Sequence, residues 1–258
     1  MSPRLDTELV RRGLVRSRTA AQAAIARGDV LVNGSAAAKP AQSVGIDDAV
    51  ALRGTDPWVS RAAHKLLGAL DDSATRVPPR VLDAGASTGG FTQVCLAGGA
   101  LRVYAVDVGH GQLARELRVD PRVVVWERTN LRELTLRHVD DEPVGLVVAD
   151  VSFISLRLLL RPLLDVLDPG GEALLLVKPQ FEVGRTGLDS HGVVRDERLR
   201  AASVEAVIAE AAALGRPAVW TGPSRLPGEN GNLEFFVKLG GLGERPPAAS
   251  AASPRLDG

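Results

Sequence analysis

Apolar residues in the first fifty positions recur at helical spacing in two stretches, which are followed by short strand-like runs. The first helical stretch ends at Gly13 and the second at Gly28, since glycine commonly terminates helices. Ser17, just ahead of the second stretch, is a favourable N-cap residue. The run Val-Leu-Val before Asn33-Gly34 predicts a β-hairpin. The pattern indicates a small α+β unit that buries little apolar surface alone.

From Val81 onward, strand-like and helix-like segments alternate along the chain. This alternation predicts a parallel sheet with helices on both faces, the Rossmann-like α/β class. Leu156–Leu167 is expected to be a helix and Glu172–Val177 the fifth strand. An amphipathic pattern predicts a long helix over Glu197–Leu214, and two late strands follow it. Residues 241–258 are rich in Gly, Pro, Ala and Ser without periodicity, which predicts a disordered tail.

These patterns divide the chain into a small and a large domain, as expected for 258 residues. Residues 1–52 form the small unit, residues 53–59 a linker and residues 60–240 the α/β domain. The single cysteine, Cys95, excludes an internal disulfide framework and a cysteine-based zinc site. The longest apolar runs are too short to span a bilayer, so we expect a cytoplasmic protein without a stable membrane partner. We also expect no bound metal.

A glycine-rich turn follows the first strand of the large domain. Residues 83–92, Asp-Ala-Gly-Ala-Ser-Thr-Gly-Gly-Phe-Thr, join that strand to a helical pattern. Strand, glycine loop and helix form the geometry in which bare backbone approaches a ligand at a helix N-terminus. Asp107 ends the second strand, 22 positions after Gly85, where nucleotide sites place a carboxylate on ribose hydroxyls. We expect a nucleotide-like ligand here, although a tight connection without a ligand fits the same pattern.

Polar residues also close the later strands of the predicted sheet. Asp150 follows the fourth strand and Lys178 the fifth. Since ligands of open α/β sheets bind outside the carboxyl ends of strands, these side chains and the glycine loop should face one crevice. A neighbouring lysine and carboxylate usually form a structural ion pair, whereas such a pair at the mouth of a nucleotide crevice indicates catalysis.

Positive charge is uneven in the small unit, although the whole chain has no formal net charge. Six arginines lie in its helical half, against Asp6 and Glu8. A solvated helical face explains such a cluster as well as a nucleic-acid surface does. The residues also match a longer pattern, namely Arg4-Leu-Asp6, Gly13-Leu14, Ser17-Arg18, Val32-Asn-Gly34 and Lys39-Pro40. This pattern resembles the alpha-L RNA-binding motif, which implies that Arg4, Arg18 and Lys39 face RNA phosphates.

Four motifs follow this pattern in the large domain. They are Asp-Ala-Gly-Ala-Ser-Thr-Gly-Gly-Phe-Thr, Asp-Val-Ser-Phe-Ile-Ser, Val-Lys-Pro-Gln-Phe-Glu and Gly-Asn-Leu-Glu-Phe-Phe, in this order. The whole arrangement, over roughly residues 4–239, resembles the TlyA family of rRNA 2′-O-methyltransferases, also labelled haemolysins, whose catalytic domain is FtsJ-like. The resemblance implies S-adenosylmethionine as methyl donor and rRNA within ribosomal subunits as substrate. It also implies a catalytic tetrad of Lys65, Asp150, Lys178 and Glu234.

The resemblance and the strand-end positions together give the expected site residues. Lys178 would take the proton of the ribose hydroxyl, with Asp150 holding it in line. Lys65 would orient the ribose or its phosphate, and Glu234 would hold one of the lysines. Asp107 would bind the ribose of the donor. The other residues expected at the cofactor are Asp83, Gly85, Ser87, Thr88, Gly89, Gly90, Phe91, Asn130 and Asp150, and Arg61 and Arg185 are expected to extend the RNA-binding surface.

The resemblance also bears on which RNA is modified. Longer members of the family carry a helical segment after the final strand and resemble enzymes that modify a cytidine in both 16S and 23S rRNA. Shorter members act on the large-subunit RNA alone. Here Glu234–Leu239 is followed by Gly-Gly-Leu-Gly and then by Pro, Ala and Ser, a composition that disfavours a helix. The expected substrate is therefore a cytidine ribose in 23S rRNA, with 16S rRNA left open.

Three other functions share parts of this pattern. A nicotinamide dehydrogenase would use the same strand, loop and Asp107, but the spacing of Gly85, Gly89 and Gly90 differs from G-x-G-x-x-G. A membrane-active haemolysin would need a spanning run or a strongly amphipathic basic helix, and the sequence offers neither. A catalytically inactive RNA-binding protein would have no need of the complete tetrad.

Overall fold

The computed structural model describes residues 3–45, 47–54 and 56–242. The chain divides into two compact units, Met1–Pro57 and Trp58–Gly258, and the division falls inside the predicted linker. Ile46, which belongs to one of the strand-like runs within the first fifty positions, and nearly all of the predicted tail lie outside the described residues. Among the described residues, no helix is both long enough and apolar enough to cross a bilayer.

The first unit combines two helices with a three-stranded antiparallel sheet of order β2-β1-β3. Its core contains Leu5, Leu9, Ile25 and Val30, each almost completely buried. These residues lie at the helical and strand positions that the apolar pattern predicts. The elements are α1 (Leu5–Arg11), α2 (Arg18–Ala26), β1 (Val30–Val32), β2 (Ser35–Ala36) and β3 (Val50–Leu52).

Two local predictions in this unit are confirmed. Ser17 caps α2, because its side chain accepts a hydrogen bond from the backbone N–H of Ala20 at 3.2 Å. Asn33 and Gly34 have φ angles of 50° and 80°. Two consecutive residues in the left-handed region form the turn that connects tightly paired antiparallel strands, here β1 and β2.

The second unit is built on a seven-stranded sheet with helices on both faces. Its strands are β4 (Arg80–Ala84), β5 (Arg102–Val106), β6 (Val123–Trp126), β7 (Val144–Ala149), β8 (Leu167–Val177), β9 (Ala218–Pro223) and β10 (Phe235–Leu239). Its helices are α3 (Ala62–Asp72), α4 (Gly90–Ala97), α5 (Arg115–Arg118), α6 (Leu160–Asp165), α7 (Pro179–Glu182) and α8 (Glu197–Ala213).

The strand order is β6-β5-β4-β7-β8-β10-β9. The first five strands in this order are parallel, as predicted, but β10 runs antiparallel to both of its neighbours. The connection between β9 and β10 contains no α-helix to carry the chain back across the sheet, so the two strands pair in opposite directions. The predicted parallel sheet therefore comprises the first five strands and does not extend to the pairings of β10.

The two faces of the sheet carry separate hydrophobic clusters. Successive residues of β4 alternate between them, with Val81 in one cluster and Leu82 in the other. Side chains from α3 and α4 cover the first face, and side chains from α6 and α8 cover the second. The prediction of helices on both faces is confirmed.

The predicted helix over Leu156–Leu167 is wrong in extent. The segment begins with a short 3-10 turn, α6 starts only at Leu160, and β8 begins at Leu167, five residues before its predicted start. Pro162 explains the late helix start, because proline lacks an N–H group and is tolerated only in the first turn. Leu167 then pairs with Val144 across an irregular register.

Candidate active site

The carboxyl ends of β4, β5, β7 and β8 open onto two adjoining cavities. The larger cavity, of about 620 Å³, lies over the ends of β4, β5 and β7. The smaller cavity, of about 400 Å³, lies between the glycine loop, α3 and the end of β8. Both cavities are lined by Gly85, Ser87, Asp150, Ser152 and Phe153. The two spaces therefore share a wall at the carboxyl ends of β4 and β7.

All four residues of the expected tetrad line the smaller cavity, although one lies in α3, two directly follow β7 and β8, and one directly precedes β10. Arg61, expected at RNA, lines it as well. Lys65 lies in α3 and points to Glu234, which directly precedes β10. Their side chains form an ion pair of 2.5 Å between Nζ and Oε2, and both residues are almost fully buried.

The loop before β10 encloses Glu234. A Cβ atom at Gly228 would lie 2.6 Å from Cδ of Glu234 and closer still to Oε1. Only a residue without a side chain lets the backbone approach the carboxylate this closely. Asn232, also buried, fastens the loop by accepting a hydrogen bond from the N–H of Val194 at 3.1 Å and donating to the carbonyl of Gly192.

Lys178 is held by two groups from the end of β7. Its Nζ lies 2.6 Å from Oδ1 of Asp150 and donates a hydrogen bond to Oγ of Ser152 at 2.8 Å. Oδ1 of Asp150 is buried and accepts no well-aligned hydrogen bond from the described residues, so its contact with Lys178 is a charge contact. The arrangement fixes an amine at the wall that the two cavities share.

Glu182 joins the two loops that carry Asp150 and Lys178, and the sequence pattern did not single it out. In α7, its Oε2 accepts a hydrogen bond from Oγ of Ser155 at 2.6 Å. Its Oε1 accepts another from the N–H of Leu156 at 2.7 Å. The only signal in the sequence is that Glu182 ends the motif Val-Lys-Pro-Gln-Phe-Glu.

Phe153 stands at the opening of both cavities. Its side chain is 88% exposed, which is unusual for phenylalanine, and its φ angle of 65° lies in the left-handed region. Its ring lies 5.3 Å from that of Phe181, centroid to centroid. A non-glycine residue in this conformation is strained, and such strain concentrates at ligand-binding sites.

Asp107 organises the glycine loop beneath the larger cavity. Its Oδ2 accepts a hydrogen bond from the N–H of Ser87 at 2.8 Å, and Oδ1 accepts one from the N–H of Gly109 at 2.6 Å. Gly85 has a φ angle of 85°, and a Cβ there would lie 2.7 Å from the carbonyl oxygen of Asp150. Glycine is required at that position by both conformation and space. The resulting tight turn sets the carboxylate of Asp107 at the carboxyl edge of the sheet, where α/β nucleotide sites bind a ribose.

Asp83 stands behind the cavity walls. Its side chain is completely buried, and Oδ2 accepts a hydrogen bond from Oγ1 of Thr92 at 2.6 Å. Burial raises the pKa of Asp83 to about 7; the Thr92 hydroxyl opposes this rise, and the charges of Asp150 and Asp107 add to it. The structure thus places this expected cofactor residue beneath the site, without exposed surface.

The remaining expected cofactor residues occupy different positions. Thr88, Gly90 and Phe91 line the smaller cavity, and Asn130 lines the larger one. Gly89, with a φ angle of 102°, lines neither, because it packs against side chains of the α5 region. The structure therefore brings the glycine loop, Asp107, Asn130 and the tetrad to one edge of the sheet.

Two of the three expected RNA-binding residues of the first unit lie around a buried carboxylate. Arg4 and Arg18 both form ion pairs with Asp6, and hydrogen bonds from Arg4 hold the pKa of Asp6 well below its usual range. Lys39 is exposed. Arg185 lies in a short 3-10 turn, and its side chain is outside the described part of the chain.

Comparisons with known proteins match both units. The FtsJ-like methyltransferase family matches residues 58–241, and the S4 domain matches residues 3–50. The 16S/23S rRNA (cytidine-2′-O)-methyltransferase TlyA of Mycobacterium tuberculosis is 52% identical over 240 residues, which cover 92% of this chain and 89% of that protein. The 23S rRNA (cytidine-2′-O)-methyltransferase TlyA of Campylobacter jejuni is 37% identical over 69% of each chain.

A solved structure agrees with this match over nearly the whole chain. A candidate hemolysin from Streptococcus thermophilus superposes with a TM-score of 0.74 at 36% sequence identity. The superposition covers 95% of this chain and 90% of that one. The two units and their order are therefore similar in both proteins.

Proposed function

The chain belongs to the TlyA family of rRNA (cytidine-2′-O)-methyltransferases, with an S4 domain ahead of an FtsJ-like domain, and from this membership we propose its substrate and its mechanism. The methyl donor is S-adenosylmethionine, and the acceptor is the 2′-hydroxyl of a cytidine in 23S rRNA. The observation that carries the proposal is the convergence of Lys65, Asp150, Lys178 and Glu234 on one cavity beside the glycine loop.

The larger cavity suits the donor. Asp107 would hold its ribose hydroxyls, the glycine loop would lie against its methionine end, and Asn130 would contact its base. When bound, S-adenosylmethionine supplies a methyl group made electrophilic by a positively charged sulfur. The shared wall at Gly85 and Asp150 would bring that group to the edge of the smaller cavity.

The smaller cavity suits the acceptor ribose. A ribose hydroxyl becomes an effective nucleophile only as its proton is removed, so a proton acceptor must lie within hydrogen-bonding distance. Lys178 would be that acceptor in its uncharged form, after its Nζ has released a proton to the solvent in the cavity, and Asp150 and Ser152 fix the position of its Nζ. Lys65, aligned by Glu234, would bind the ribose or its phosphate.

The preference for 23S rRNA is the finer part of the proposal. Both relatives described above are named for action on 23S rRNA, whereas only the more similar one is also named for 16S rRNA. The substrate common to the two names is therefore proposed for this chain. The S4 domain would supply affinity for RNA through Arg4, Arg18 and Lys39, which suit phosphates and carry no information on base sequence.

Transfer of labelled methyl groups to ribosomal subunits tests the proposal, and Lys178→Ala and Asp150→Ala test the mechanism. Removal of the proton acceptor should lower kcat by about 10²–10⁴-fold. Affinity for S-adenosylmethionine should change little in Lys178→Ala, because this side chain lies on the acceptor side of the shared wall.

A matched control separates catalysis from the loss of a buried ion pair. Lys238 is also buried and pairs with Glu172 at 2.8 Å, but it lines neither cavity. Lys238→Ala should retain kcat in the fraction of protein that is folded. Near-normal turnover in Lys178→Ala would refute the assigned role of Lys178.

A further inference from the structure

Asp6, at the second residue of α1, joins two arginines that begin different helices. Its side chain is completely buried. Arg4 donates hydrogen bonds from Nε to Oδ1 at 3.1 Å and from Nη2 to Oδ2 at 3.2 Å. Arg18 donates from Nη2 to Oδ2 at 2.9 Å. One carboxylate therefore fixes two guanidinium groups next to each other.

The two guanidinium groups still present free edges to solvent. The side chains of Arg4 and Arg18 are 50% and 59% exposed, although Asp6 itself is covered. A guanidinium carries five N–H groups, and the bonds to Asp6 use two of those on Arg4 and one on Arg18. The carboxylate of Asp6 also accepts hydrogen bonds from Nε2 of Gln22 and from Oγ1 of Thr7, each at 3.3 Å. The arrangement leaves N–H groups directed outward and keeps one net positive charge.

A third cation lies on a segment fastened to the same turn. The backbone N–H of Asp6 donates to the carbonyl of Pro40 at 3.1 Å, and that of Leu5 donates to Gln42 at 2.8 Å. Lys39, next to Pro40, is exposed. The first turn of α1 thus anchors all three segments that carry the expected RNA-binding side chains.

We propose that Asp6 is a positioning residue for RNA binding, which holds Arg4 and Arg18 as a preformed pair for phosphate groups. The inference rests on the proposed function, because it takes RNA as the ligand of this unit. Planar guanidinium groups bind phosphate oxygens through two parallel N–H groups, so their orientation matters as well as their charge. Long side chains lose rotamer freedom when they bind, and a pair that is already ordered loses less.

The expected effect of Asp6→Asn on RNA affinity has one sign if only charge matters and the opposite sign if Asp6 positions the arginines. The substitution adds one unit of positive charge, and by charge alone it should strengthen binding to a polyanion. If Asp6 acts by positioning, the same substitution should weaken binding, because both arginines lose their common anchor. The sign of the change therefore decides between the two.

Glu8 provides a matched control in the same helix. It is also almost completely buried, and it forms ion pairs with Arg11 and Arg12, each at 2.6 Å. Neither arginine belongs to the expected RNA-binding set. Glu8→Gln makes the same change in charge, and it should leave RNA affinity unchanged or slightly increase it.

The experiment measures binding of the full-length protein to 23S rRNA transcript over a series of salt concentrations. We expect Asp6→Asn to weaken binding by about tenfold. The slope of log K against log salt should also flatten by about one, because a phosphate contact is lost. Affinity for S-adenosylmethionine should not change. Affinity equal to or above that of the wild-type protein would overturn the inference.

If Asp6→Asn fails to fold, a second variant, Arg4→Lys, still tests the inference. Arg4→Lys keeps the charge and an ion pair to Asp6, but it removes the two-pronged contact. Weaker binding of Arg4→Lys supports the inference, and unchanged binding refutes it. Failure of the wild-type protein to bind or methylate rRNA would instead refute the proposed function.

Discussion

Asp83 carries a carboxyl group that is completely enclosed at the end of β4, and its titration should be visible in the stability of the protein. Burial raises its pKa to about 7. The folded state therefore holds this proton more tightly than the unfolded state does. The associated stability is fully present below about pH 4 and is lost as the pH rises through about 7.

Asp83→Asn removes this titration, because an amide stays neutral. We expect the free energy of unfolding of Asp83→Asn, relative to wild type, to rise by a few kcal/mol between about pH 5 and pH 8. Denaturant unfolding at several pH values measures this difference. Parallel curves for the two proteins would show that Asp83 does not titrate in this range.

Residues whose roles follow from local chemistry could be predicted from the sequence, whereas residues that act on distant partners could not. Ser17 caps its own helix, and the partner of its side chain lies three residues away. Glu182 binds Ser155, which lies 27 positions earlier in the chain, and nothing in the intervening sequence indicates this pairing. Asp6 is similar, because it joins Arg4 to Arg18 only after both helices have packed.

At the scale of elements, the loop between β9 and β10 holds Glu234, a residue of the proposed tetrad, in place. A Cβ at Gly228 would overlap the carboxylate of Glu234, which cannot move without weakening its ion pair with Lys65. We expect Gly228→Ala to lower kcat by about 10²-fold, since small misplacements of catalytic groups have effects of that size. Steady-state methylation measures kcat, and thermal melting shows whether the variant is folded.

Gly170 offers a control for this substitution. The nearest atom to a Cβ there would be Oδ1 of Asp168 at 3.7 Å, an ordinary contact, so Gly170→Ala should leave kcat unchanged. Wild-type kcat in Gly228→Ala would show that the position of Glu234 is not critical.

The elements themselves were predictable where the hydrophobic period is strong and connections are regular. The ends of β5, β7 and β8 were located correctly, so Asp107, Asp150 and Lys178 could be expected at one edge. The direction of β10 was not predictable, because an alternating strand pattern is the same for parallel and antiparallel pairing. The run Asp168-Pro-Gly-Gly171 likewise hid the early start of β8, because Pro and Gly are typical of turns and rare inside strands.

At the scale of the whole molecule, the proposed preference for 23S rRNA predicts how activity divides between ribosomal subunits. Large subunits should take up most of the labelled methyl groups when isolated large and small subunits are assayed in parallel. The physical reason is that an RNA surface outside the catalytic cavities must present the cytidine, and the two subunits present different surfaces.

Mapping of the modified nucleotide completes this experiment. Lys178→Ala, assayed beside the wild-type protein, shows how much incorporation is independent of the catalytic site. Equal incorporation into both subunits would contradict the preference while leaving the methyltransferase activity itself intact.

The wall shared by the two cavities has a consequence for inhibitor design. Gly85, Ser87 and Asp150 border both spaces, so the proposed donor and acceptor sites adjoin each other and are together called the groove. A bisubstrate compound, with an adenosine tethered to a cytidine through a short linker at the sulfur position, can occupy both ends at once. Its second half binds at the high effective concentration set by the tether, so its affinity should far exceed that of either half. Methyltransferases that lack the second cavity would gain nothing from that half, which makes the groove a basis for selectivity.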